Sequence, residues 1–478
     1  MVYNQFISLS PEQIQIISKE QAWHYKIIPN YNHSHEICFF IDKSNDISQI
    51  QEELEVLFGK KVLLELTESL IISRTLSQYY FKEEDKQSLS KGSISTESND
   101  FLLDLVQEAK VLRSSDIHFE VYEEKCRIRI RIDGSLVERY VIIKTDYPSL
   151  INRVKILANL DIAEKRLPQD GRIFFQNGDK KFDIRVSVVP TLYGEKVVMR
   201  LLGNNASHLD IVNIGLSEIE LENYLTGVQK SNGIVLISGP TGSGKTTTLY
   251  ATLKYLNKEN RNILTIEDPI EYTLEGINQV QLKESIGLNF SSALRTFLRQ
   301  DPDIIMVGEI RDVETAQMAI RAALTGHLVL STIHTNSAWG TVQRLADMGV
   351  PAYLLSNTLN LTVAQRLIKL LCNNCKEEES FENSNVKLPR NYIPPKKITK
   401  HYTPKGCEHC FYTGYKGRRA IYEVILIDQD LSKSIRSNEF DIKNILEQKN
   451  IKSLADNAFE LLEKGETSLE EVYPILLG

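Results

Sequence analysis

A phosphate-binding loop is predicted at residues 239–246, where the chain matches the pattern G-x-x-x-x-G-K-[ST]. A β-branched apolar run over residues 233–238 precedes the loop, and helical spacing over residues 247–256 follows it. Glycines let backbone N–H groups converge on phosphate oxygens, and the helix N-terminus adds partial positive charge. We therefore expect Lys245 to reach the β- and γ-phosphates of a nucleotide and Thr246 to ligate Mg²⁺. The predicted nucleotide-binding residues here are Gly239, Pro240, Thr241, Gly242, Ser243, Gly244, Lys245, Thr246 and Thr247.

Polar side chains end three further apolar runs, at residues 262–267, 303–307 and 327–332. We predict that these runs are strands parallel to the one before the loop, because buried parallel strands are continuously apolar. Their carboxyl ends would then meet at the ligand edge of an open α/β sheet. Acidic residues ending two strands, beside the strand that carries the loop, suit Mg²⁺-assisted transfer of a phosphoryl group to water. The residues in these clusters are Glu267, Asp268, Glu271, Glu309 and His334.

Four of the six cysteines form two C-x-x-C pairs, Cys372 with Cys375 and Cys407 with Cys410. Two such pairs predict a closed tetrahedral Zn²⁺ site, although the separation between them is longer than in most zinc ribbons. Four thiolates leave no open position on the metal, so we expect a structural site rather than a catalytic one. A redox or incidental role for these cysteines is the alternative.

Arginines concentrate on short strands upstream of the loop. Arg127, Arg129 and Arg131 alternate with isoleucines before an Asp-Gly hairpin signal, so the three arginines share one strand face. A solvated basic face is one interpretation, and contact with a neighbouring subunit or a polyanion is the other. Arg185 and Arg200 lie on later strands, just before the nucleotide-binding segment. Arginines in that position suit a lid that closes over phosphates.

The bulk properties are those of a globular chain with several domains. A chain of 478 residues is too long for one core, and 42% hydrophobic residues are ordinary. A net charge of -7 argues against nucleic acid as the main partner. The N-terminus lacks the basic and apolar regions of a signal peptide, and no run is long enough to span a bilayer. We expect a cytoplasmic protein whose association with a membrane is peripheral.

Composition and pattern divide the chain into segments. The first segment opens with a single predicted helix at residues 11–21. A polar, Ser-rich stretch without aromatic residues follows the first segment and is predicted to be a flexible linker. The predicted segments are a small docking domain at 1–81, the linker at 82–100, an α+β domain at 101–203, and a nucleotide-binding domain at 210–478 that includes a tetracysteine subdomain at about 370–412 and C-terminal helices.

The motifs resemble those of the type II secretion and type IV pilus assembly ATPase family. The matching blocks are GPTGSGKTTTLY, TIEDPIEY, RTFLRQDPDIIMVGEIRD and TGHLVLSTIHTN, with KRLPQDGRI and DIRVSVVPTLYGEKVVMRLL before them and GYKGRRAIYEV and TSLEEV after them. The resemblance covers about residues 100–478, and residues 1–81 match only loosely.

The resemblance implies an α/β fold with a RecA-like P-loop NTPase domain. It also implies a preceding PAS-like α+β domain, a small N-terminal α/β docking domain and a zinc-binding insertion. A member of this family is a homo-hexamer that hydrolyses ATP with Mg²⁺ on the cytoplasmic face of the inner membrane. Its partners would be a membrane platform protein and a membrane recruiter with a cytoplasmic domain.

The resemblance also implies a role for each matching site residue. Lys245 and Thr246 match the Walker A residues, and Glu309 lies in the Walker B block. Glu271 is the expected general base. The acidic box comprises Glu267, Asp268 and Glu271, and His334 is the expected γ-phosphate sensor. Arg185 and Arg200 match the arginine fingers. The four cysteines match the zinc insertion that retraction ATPases lack.

Four functions are consistent with these patterns. The first is a type II secretion ATPase that drives pseudopilus assembly and protein export, and the second is a type IV pilus assembly or DNA-uptake ATPase. A nucleic-acid translocase would use the arginine face of residues 127–131, but the acidic net charge disfavours it. A non-hydrolysing, nucleotide-gated scaffold is disfavoured because the acidic and arginine residues are all present.

Overall fold

The computed structural model describes residues 7, 9, 11–14, 16–32, 36–43, 47–80, 101–123, 125–142, 144–177, 180–202, 210–381, 388–389, 392–396, 398–439 and 441–477. The predicted linker at 82–100 lies outside the described residues. The chain forms two compact units rather than one for each predicted domain. The first unit comprises Met1–Gly203, Cys372–Cys375 and Pro404–Lys416, and the second comprises Asn204–Leu371, Lys376–Thr403 and Gly417–Gly478.

The N-terminal part of the first unit is a small α/β layer. Its elements are α1 (Pro11–Ile14), α2 (Lys19–Tyr25), β1 (Ile27–Asn32), β2 (Glu36–Asp42), α3 (Ile47–Phe58), β3 (Lys61–Thr67) and α4 (Ser69–Tyr79). Strand β2 lies in the middle of the sheet, antiparallel to β1 and parallel to β3. Ile28, Phe39 and Leu54 lie in the core between the sheet and the helices.

The prediction of a single helix at residues 11–21 is wrong, because the structure has two short helices, α1 and α2, in this part of the chain. Ser18 caps α2: its hydroxyl accepts from the backbone N–H of Gln21 (3.2 Å), and its own N–H donates to Gln21 Oε1 (2.8 Å). This reciprocal capping box begins a new helix at Lys19, where apolar spacing alone predicted continuation.

The second part of the first unit is an antiparallel sheet with two helices, as predicted for an α+β domain. Its elements are α5 (Phe101–Val111), β4 (Asp116–Val121), β5 (Cys126–Ile132), β6 (Ser135–Ile142), α6 (Tyr147–Leu157), β7 (Gln169–Asn177), β8 (Lys180–Thr191) and β9 (Gly194–Leu202). The strand order is β6-β5-β4-β9-β8-β7. Asp133 and Gly134 both have positive φ, which gives the predicted two-residue hairpin turn.

The arginines of β5 share one face, as predicted, but that face is not a free basic surface. Arg127 and Arg129 both bind Glu120, at 2.9 Å and 2.7 Å, and Arg131 lies 3.4 Å from Asp116. Partial burial by itself raises the pKa of Glu120, but the hydrogen bonds from the two arginines outweigh it and hold the pKa at about 2. These acidic partners neutralise the stripe and leave little charge for a polyanion.

The second unit is built on a seven-stranded sheet. Its elements are α7 (Glu218–Val228), β10 (Gly233–Ser238), α8 (Lys245–Leu256), β11 (Ile263–Glu267), β12 (Asn278–Gln281), α9 (Phe290–Phe297), β13 (Ile304–Val307), α10 (Val313–Leu324), β14 (Leu328–Ile333), α11 (Gly340–Asp347), α12 (Ala352–Thr358), β15 (Leu359–Leu371), β16 (Lys376–Ser380), β17 (Lys400–Pro404), β18 (Tyr415–Leu426), α13 (Gln429–Arg436), α14 (Lys443–Gln448), α15 (Leu454–Glu463) and α16 (Leu469–Leu476). Strands β16 and β17 form a separate two-stranded sheet.

The central sheet has the order β12-β11-β13-β14-β10-β15-β18, and its first six strands are parallel. Ile305 and Val307 enter the core on one face, and Ile304 and Met306 enter the core on the other. Burial on both faces explains why these strands are continuously apolar.

The acidic strands do not lie beside β10, contrary to the expectation from sequence. The crossover through α8 places β11 three strands away from β10, and β13 and β14 fill the space between them. The neighbour of β10 on that side is β14, which leads to His334.

The tetracysteine segments group with the first unit, although the sequence placed them in the nucleotide-binding domain. The N–H of Cys372 donates to Gly414 O (2.9 Å), which ties the two cysteine segments together. The guanidinium of Arg139, on β6, lies 5.5 Å from the ring centre of Phe411. Among the described residues, no helix has the length and apolar content needed to cross a membrane.

A buried ion pair holds the second part of the first unit. Lys155 on α6 is 0% exposed, and its ammonium donates to Glu195 Oε1 (2.8 Å) and Glu164 O (2.7 Å). Glu195→Ala leaves that ammonium buried without its carboxylate, so we expect a loss of about 3–5 kcal/mol of stability. The measurement is the first unfolding transition of the full chain by scanning calorimetry.

Glu447→Ala is the matched control, because Glu447 pairs with Lys443 on an exposed helix face. That variant should change stability by less than about 0.5 kcal/mol. Equal unfolding temperatures for the two variants would show that Glu195 does not stabilise the buried ammonium of Lys155.

Candidate functional site

The predicted phosphate loop joins β10 to α8, which begins at Lys245. Gly239, Gly242 and Gly244 all have positive φ. A Cβ at Gly239 would lie 2.5 Å from the backbone oxygen of Gln365, so the loop passes against β15 at a distance that only glycine permits. The backbone therefore curls tightly at the N-terminus of α8, where an anion is favoured.

The side chain of Lys245 contacts the backbone at the start of this loop. Its ammonium donates to Gly239 O (2.8 Å) and Pro240 O (3.0 Å). Burial lowers the pKa of Lys245. The negative charge of Glu309 opposes this shift, and the positive charge of Arg366 adds to it. Thr246 and Thr247 are exposed beside it, as a residue that ligates Mg²⁺ would need to be.

Gln365 on β15 holds the loop in shape, and sequence reasoning missed it. Its Nε2 donates to Ser243 O (2.8 Å), and its Oε1 accepts from the hydroxyl of Thr248 (2.9 Å). One buried amide thus joins the loop to the first turn of α8. The available signal was the polar pair Gln365-Arg366 inside a run of apolar strand residues.

Glu309 and His334 meet at the same edge of the sheet. Strand register pairs Ser238 with Ile333 and Ser331 with Val307, so the turns after β10, β14 and β13 emerge together. His334 Nε2 lies 3.4 Å from Glu309 Oε2, and Arg311 forms an ion pair with the other oxygen of that carboxylate. The structure therefore brings the predicted Walker B and histidine residues together.

Glu267 is placed differently from the other acidic residues, because it is only 3% exposed. Its carboxylate accepts hydrogen bonds from the hydroxyls of Tyr250 and Thr265 and from Gln279 Nε2 (3.0 Å). Burial, and then the charge of Glu267, raise the pKa of Tyr250, which keeps this hydroxyl protonated as a donor. The same hydroxyl accepts from the backbone N–H of Glu271 (3.2 Å), so Glu267 and Tyr250 together fix the start of the Glu271 segment. Asp268, by contrast, is exposed.

Arg185 and Arg200 stand directly opposite each other on β8 and β9 of the first unit. Arg172 on β7 faces Arg185 in the same way, which makes a row of three arginines across the sheet. Asp183 binds Arg172, and Asp116 binds Arg200 (2.9 Å). Like charges placed opposite each other on neighbouring strands destabilise a sheet, and these carboxylates offset part of that cost.

The four cysteines form one cluster that could hold a metal ion, and their sulfurs all lie within 4.8 Å of one another. The Sγ–Sγ distances are 3.8 Å for Cys372–Cys407, 3.7 Å for Cys375–Cys410 and 3.8 Å for Cys407–Cys410. A tetrahedral Zn²⁺ with Zn–S bonds of about 2.3 Å would hold its sulfurs about 3.8 Å apart. The residues therefore fit Zn²⁺, which would act as a structural cross-link when bound.

Backbone groups support this cluster. The N–H of Cys407 and the N–H of Gly414 both donate to Cys410 Sγ, at 3.2 Å and 3.3 Å. Such donors stabilise a thiolate ligand, and outer contacts of this kind orient the metal site.

Residues 95–474 match the family model described as type II/IV secretion system protein. The chain belongs to this family. The type II secretion system ATPase E of Vibrio cholerae is 41% identical over 439 residues, which cover 86% of this chain and 86% of that protein. The type IV pilus assembly ATPase PilB of Myxococcus xanthus is 40% identical over 492 residues, which cover 97% of this chain and 86% of that protein.

Two solved structures share the fold of this secretion family member. The pilus retraction motor PilT with bound ADP superimposes with a TM-score of 0.54 and 26% identity, over 78% of this chain and 96% of that chain. The ATPase DotB of Legionella pneumophila superimposes with a TM-score of 0.61 and 21% identity, over 81% and 97%. The fold is thus the α/β, RecA-like fold of secretion ATPases, and the protein is an ATPase of the type II secretion class, with the pilus assembly ATPases close to it.

Tyr250→Phe tests the positioning of Glu271. The change keeps the ring but removes the hydroxyl that joins Glu267 to the backbone of Glu271, so kcat for ATP hydrolysis should fall by about tenfold. KM for ATP should stay constant, because the loop contacts are unchanged. Steady-state kinetics measure both constants.

Tyr255→Phe is the control for this prediction, since Tyr255 lies on the same helix and accepts from Gln229 at the surface. It should retain full activity. A raised KM with unchanged kcat in Tyr250→Phe would contradict the positioning role.

Zinc content tests the cysteine cluster. The purified chain should carry about one Zn²⁺ per chain, and Cys375→Ser should lose most of it, because three thiolates bind the ion more weakly than four. Cys38→Ser and Cys126→Ser should keep it, since neither belongs to the cluster. Elemental mass spectrometry gives the stoichiometry, and full zinc content in Cys375→Ser would contradict the assignment.

Proposed function

We propose that this ATPase couples ATP hydrolysis to pseudopilus assembly and protein export in a type II secretion system. The observation that carries the proposal is the meeting of the Lys245 loop with Glu309 and His334 at one edge of a parallel sheet. Relatives named as type II secretion proteins are 41–47% identical to the chain, which supports the choice of system.

The reaction is transfer of the γ-phosphoryl group of ATP to water. Lys245 and the loop N–H groups hold the phosphates. Thr246 and Glu309 would hold Mg²⁺, directly or through water, and the ion would neutralise charge on the phosphate oxygens. Asp268, which is exposed directly after β11, would contact the hydrated ion or the nucleotide.

Glu271 is our proposed general base, which takes a proton from the attacking water. Glu267 is a positioning residue in this scheme, because its oxygens are occupied by buried donors and it acts through Tyr250. His334 would sense the γ-phosphate through its contact with Glu309.

Arg185 and Arg200 are proposed as arginine fingers that stabilise negative charge on the transferring phosphoryl group. The exposure of Arg200 supports this role, because its side chain remains 60% exposed beside Asp116 and so is accessible to an anion. Zn²⁺ on the four cysteines is proposed to be structural.

The assembly that we propose is a homo-hexamer held peripherally on the cytoplasmic face of the inner membrane. The N-terminal α/β segment would dock on the cytoplasmic domain of a membrane recruiter. Closure of the ring on ATP would push on a membrane platform protein.

A type IV pilus assembly or DNA-uptake motor is the second candidate, since the pilus assembly relative aligns with 97% of the chain. A nucleic-acid translocase is disfavoured because Glu120 and Asp116 neutralise the arginines of β5. A non-hydrolysing scaffold is disfavoured because the chain belongs to a family of ATPases.

The test is the ATP hydrolysis rate of the zinc-loaded chain, alone, with anionic vesicles carrying the cytoplasmic domain of the platform protein, and with single-stranded DNA. We expect stimulation by the membrane components and a loss of about 10²- to 10⁴-fold in Glu271→Gln, because the base is removed. Glu275→Gln, in the same segment and exposed, is the matched control and should behave as the unmodified chain. Stimulation by DNA alone would support a translocase instead, and hydrolysis under no condition would support the scaffold.

A further inference from the structure

Arg366 is a second cation beside the phosphate loop. It lies on β15, next to β10, and a Cβ at Gly239 would lie 3.3 Å from its Nη1. Lys245 donates to the backbone oxygen of the same glycine. Two positive side chains therefore lie near Gly239: Lys245, from the loop, and Arg366, from a strand more than a hundred residues later in the chain.

The guanidinium of Arg366 is hydrogen-bonded only to neutral oxygens among the described residues. Nη1 donates to Gln365 O (3.1 Å), and Nη2 donates to Asn336 O (3.0 Å). A guanidinium has five N–H donors, so these bonds use a minority of them. In the described parts of the chain, no carboxylate forms an ion pair with it. A half-buried arginine held in this way is ready to bind an anion, since burying an unpaired charge is costly.

The neighbouring carboxylate does not supply that anion. Glu423, on β18, is buried, and its Oε1 accepts from the N–H of Ala338 (3.1 Å). Burial raises the pKa of Glu423, which weakens its ability to stay ionised as a counter-ion. Burial also lowers the pKa of Arg366, and the charge of Glu423 only opposes that effect.

We propose that Arg366 is a further ligand of the nucleotide phosphates, contributed by the same chain as the loop. The proposal rests on the assignment of residues 239–246 as the phosphate site. The guanidinium would bind a phosphate oxygen with its remaining donors, in the forked geometry that suits phosphate. Because Nη2 already holds Asn336 O, the turn after His334 would be tied to the bound phosphate through one side chain.

A structural role alone is the competing explanation, in which Arg366 only holds the Asn336 turn in place. The two explanations differ in what they predict for phosphate affinity. A ligand contributes to binding of any polyphosphate, with or without a base. A purely structural residue contributes first to the stability of the ligand-free chain.

The experiment measures the affinity of the full zinc-loaded chain for ATP and for inorganic pyrophosphate, by competition with a fluorescent nucleotide. Arg366→Ala should weaken both by about 10- to 100-fold, the loss expected for hydrogen bonds between charged groups. Arg366→Lys should lose less, because lysine keeps the charge without the fork. The melting temperature of Arg366→Ala without ligand should stay close to that of the unmodified chain.

Arg436→Ala is the matched control, since Arg436 also bonds only neutral oxygens, of Ser356 and Asn357, and lies on α13 rather than on β15. Its affinities should be unchanged. The proposal is overturned if Arg366→Ala binds both ligands normally, or if it melts well below Arg436→Ala while Arg366→Lys recovers no affinity. Lys245→Ala distinguishes failure of the phosphate site from failure of the Arg366 proposal. Unchanged binding in Lys245→Ala would refute the phosphate site itself. Lost binding in Lys245→Ala together with normal binding in Arg366→Ala would refute only the role of Arg366.

Discussion

The register of the parallel strands β11, β13, β14 and β10 is the constraint on which the site depends. Backbone hydrogen bonds pair Ser238 with Ile333 and Ser331 with Val307, so the turns that follow these strands emerge at one edge. A slip of one residue would turn each side chain of a strand to the opposite face, where it would meet different core neighbours. Since both faces of the sheet pack against core side chains, close packing holds the register and thereby sets the distance between the loop, Glu309 and His334.

Buried polar contacts refine what the sheet has placed. Gln365 joins the loop to α8, and Glu267 joins Tyr250 to the segment of Glu271. The amide of Gln365, the carboxylate of Glu267 and the hydroxyl of Tyr250 each have hydrogen-bond partners, which keeps the cost of burying them low and holds the site before ligand binds. The proposed catalytic residues therefore depend on others for which we propose no direct contact with the nucleotide.

The first unit contains buried charge pairs and the cluster of four cysteines. Glu120 and Asp116 hold the arginines of β5, and Glu195 holds the buried Lys155. The two cysteine segments are short, so a metal ion bound to the four sulfurs would stabilise them as a cross-link.

The sequence by itself determined the elements whose signals are local. The loop at 239–246, the apolar strands around it, the Asp133-Gly134 hairpin and the C-x-x-C pairs each lie within a few residues, where spacing and side-chain chemistry define the structure. Only the tertiary structure decided which strands are neighbours, that Glu267 is buried, that a capping box divides the first helix, and that Gln365 and Arg366 reach the loop. Strand order and long-range contacts arise from packing of the whole sheet, and the side chains that make them carry no pattern in the residues next to them.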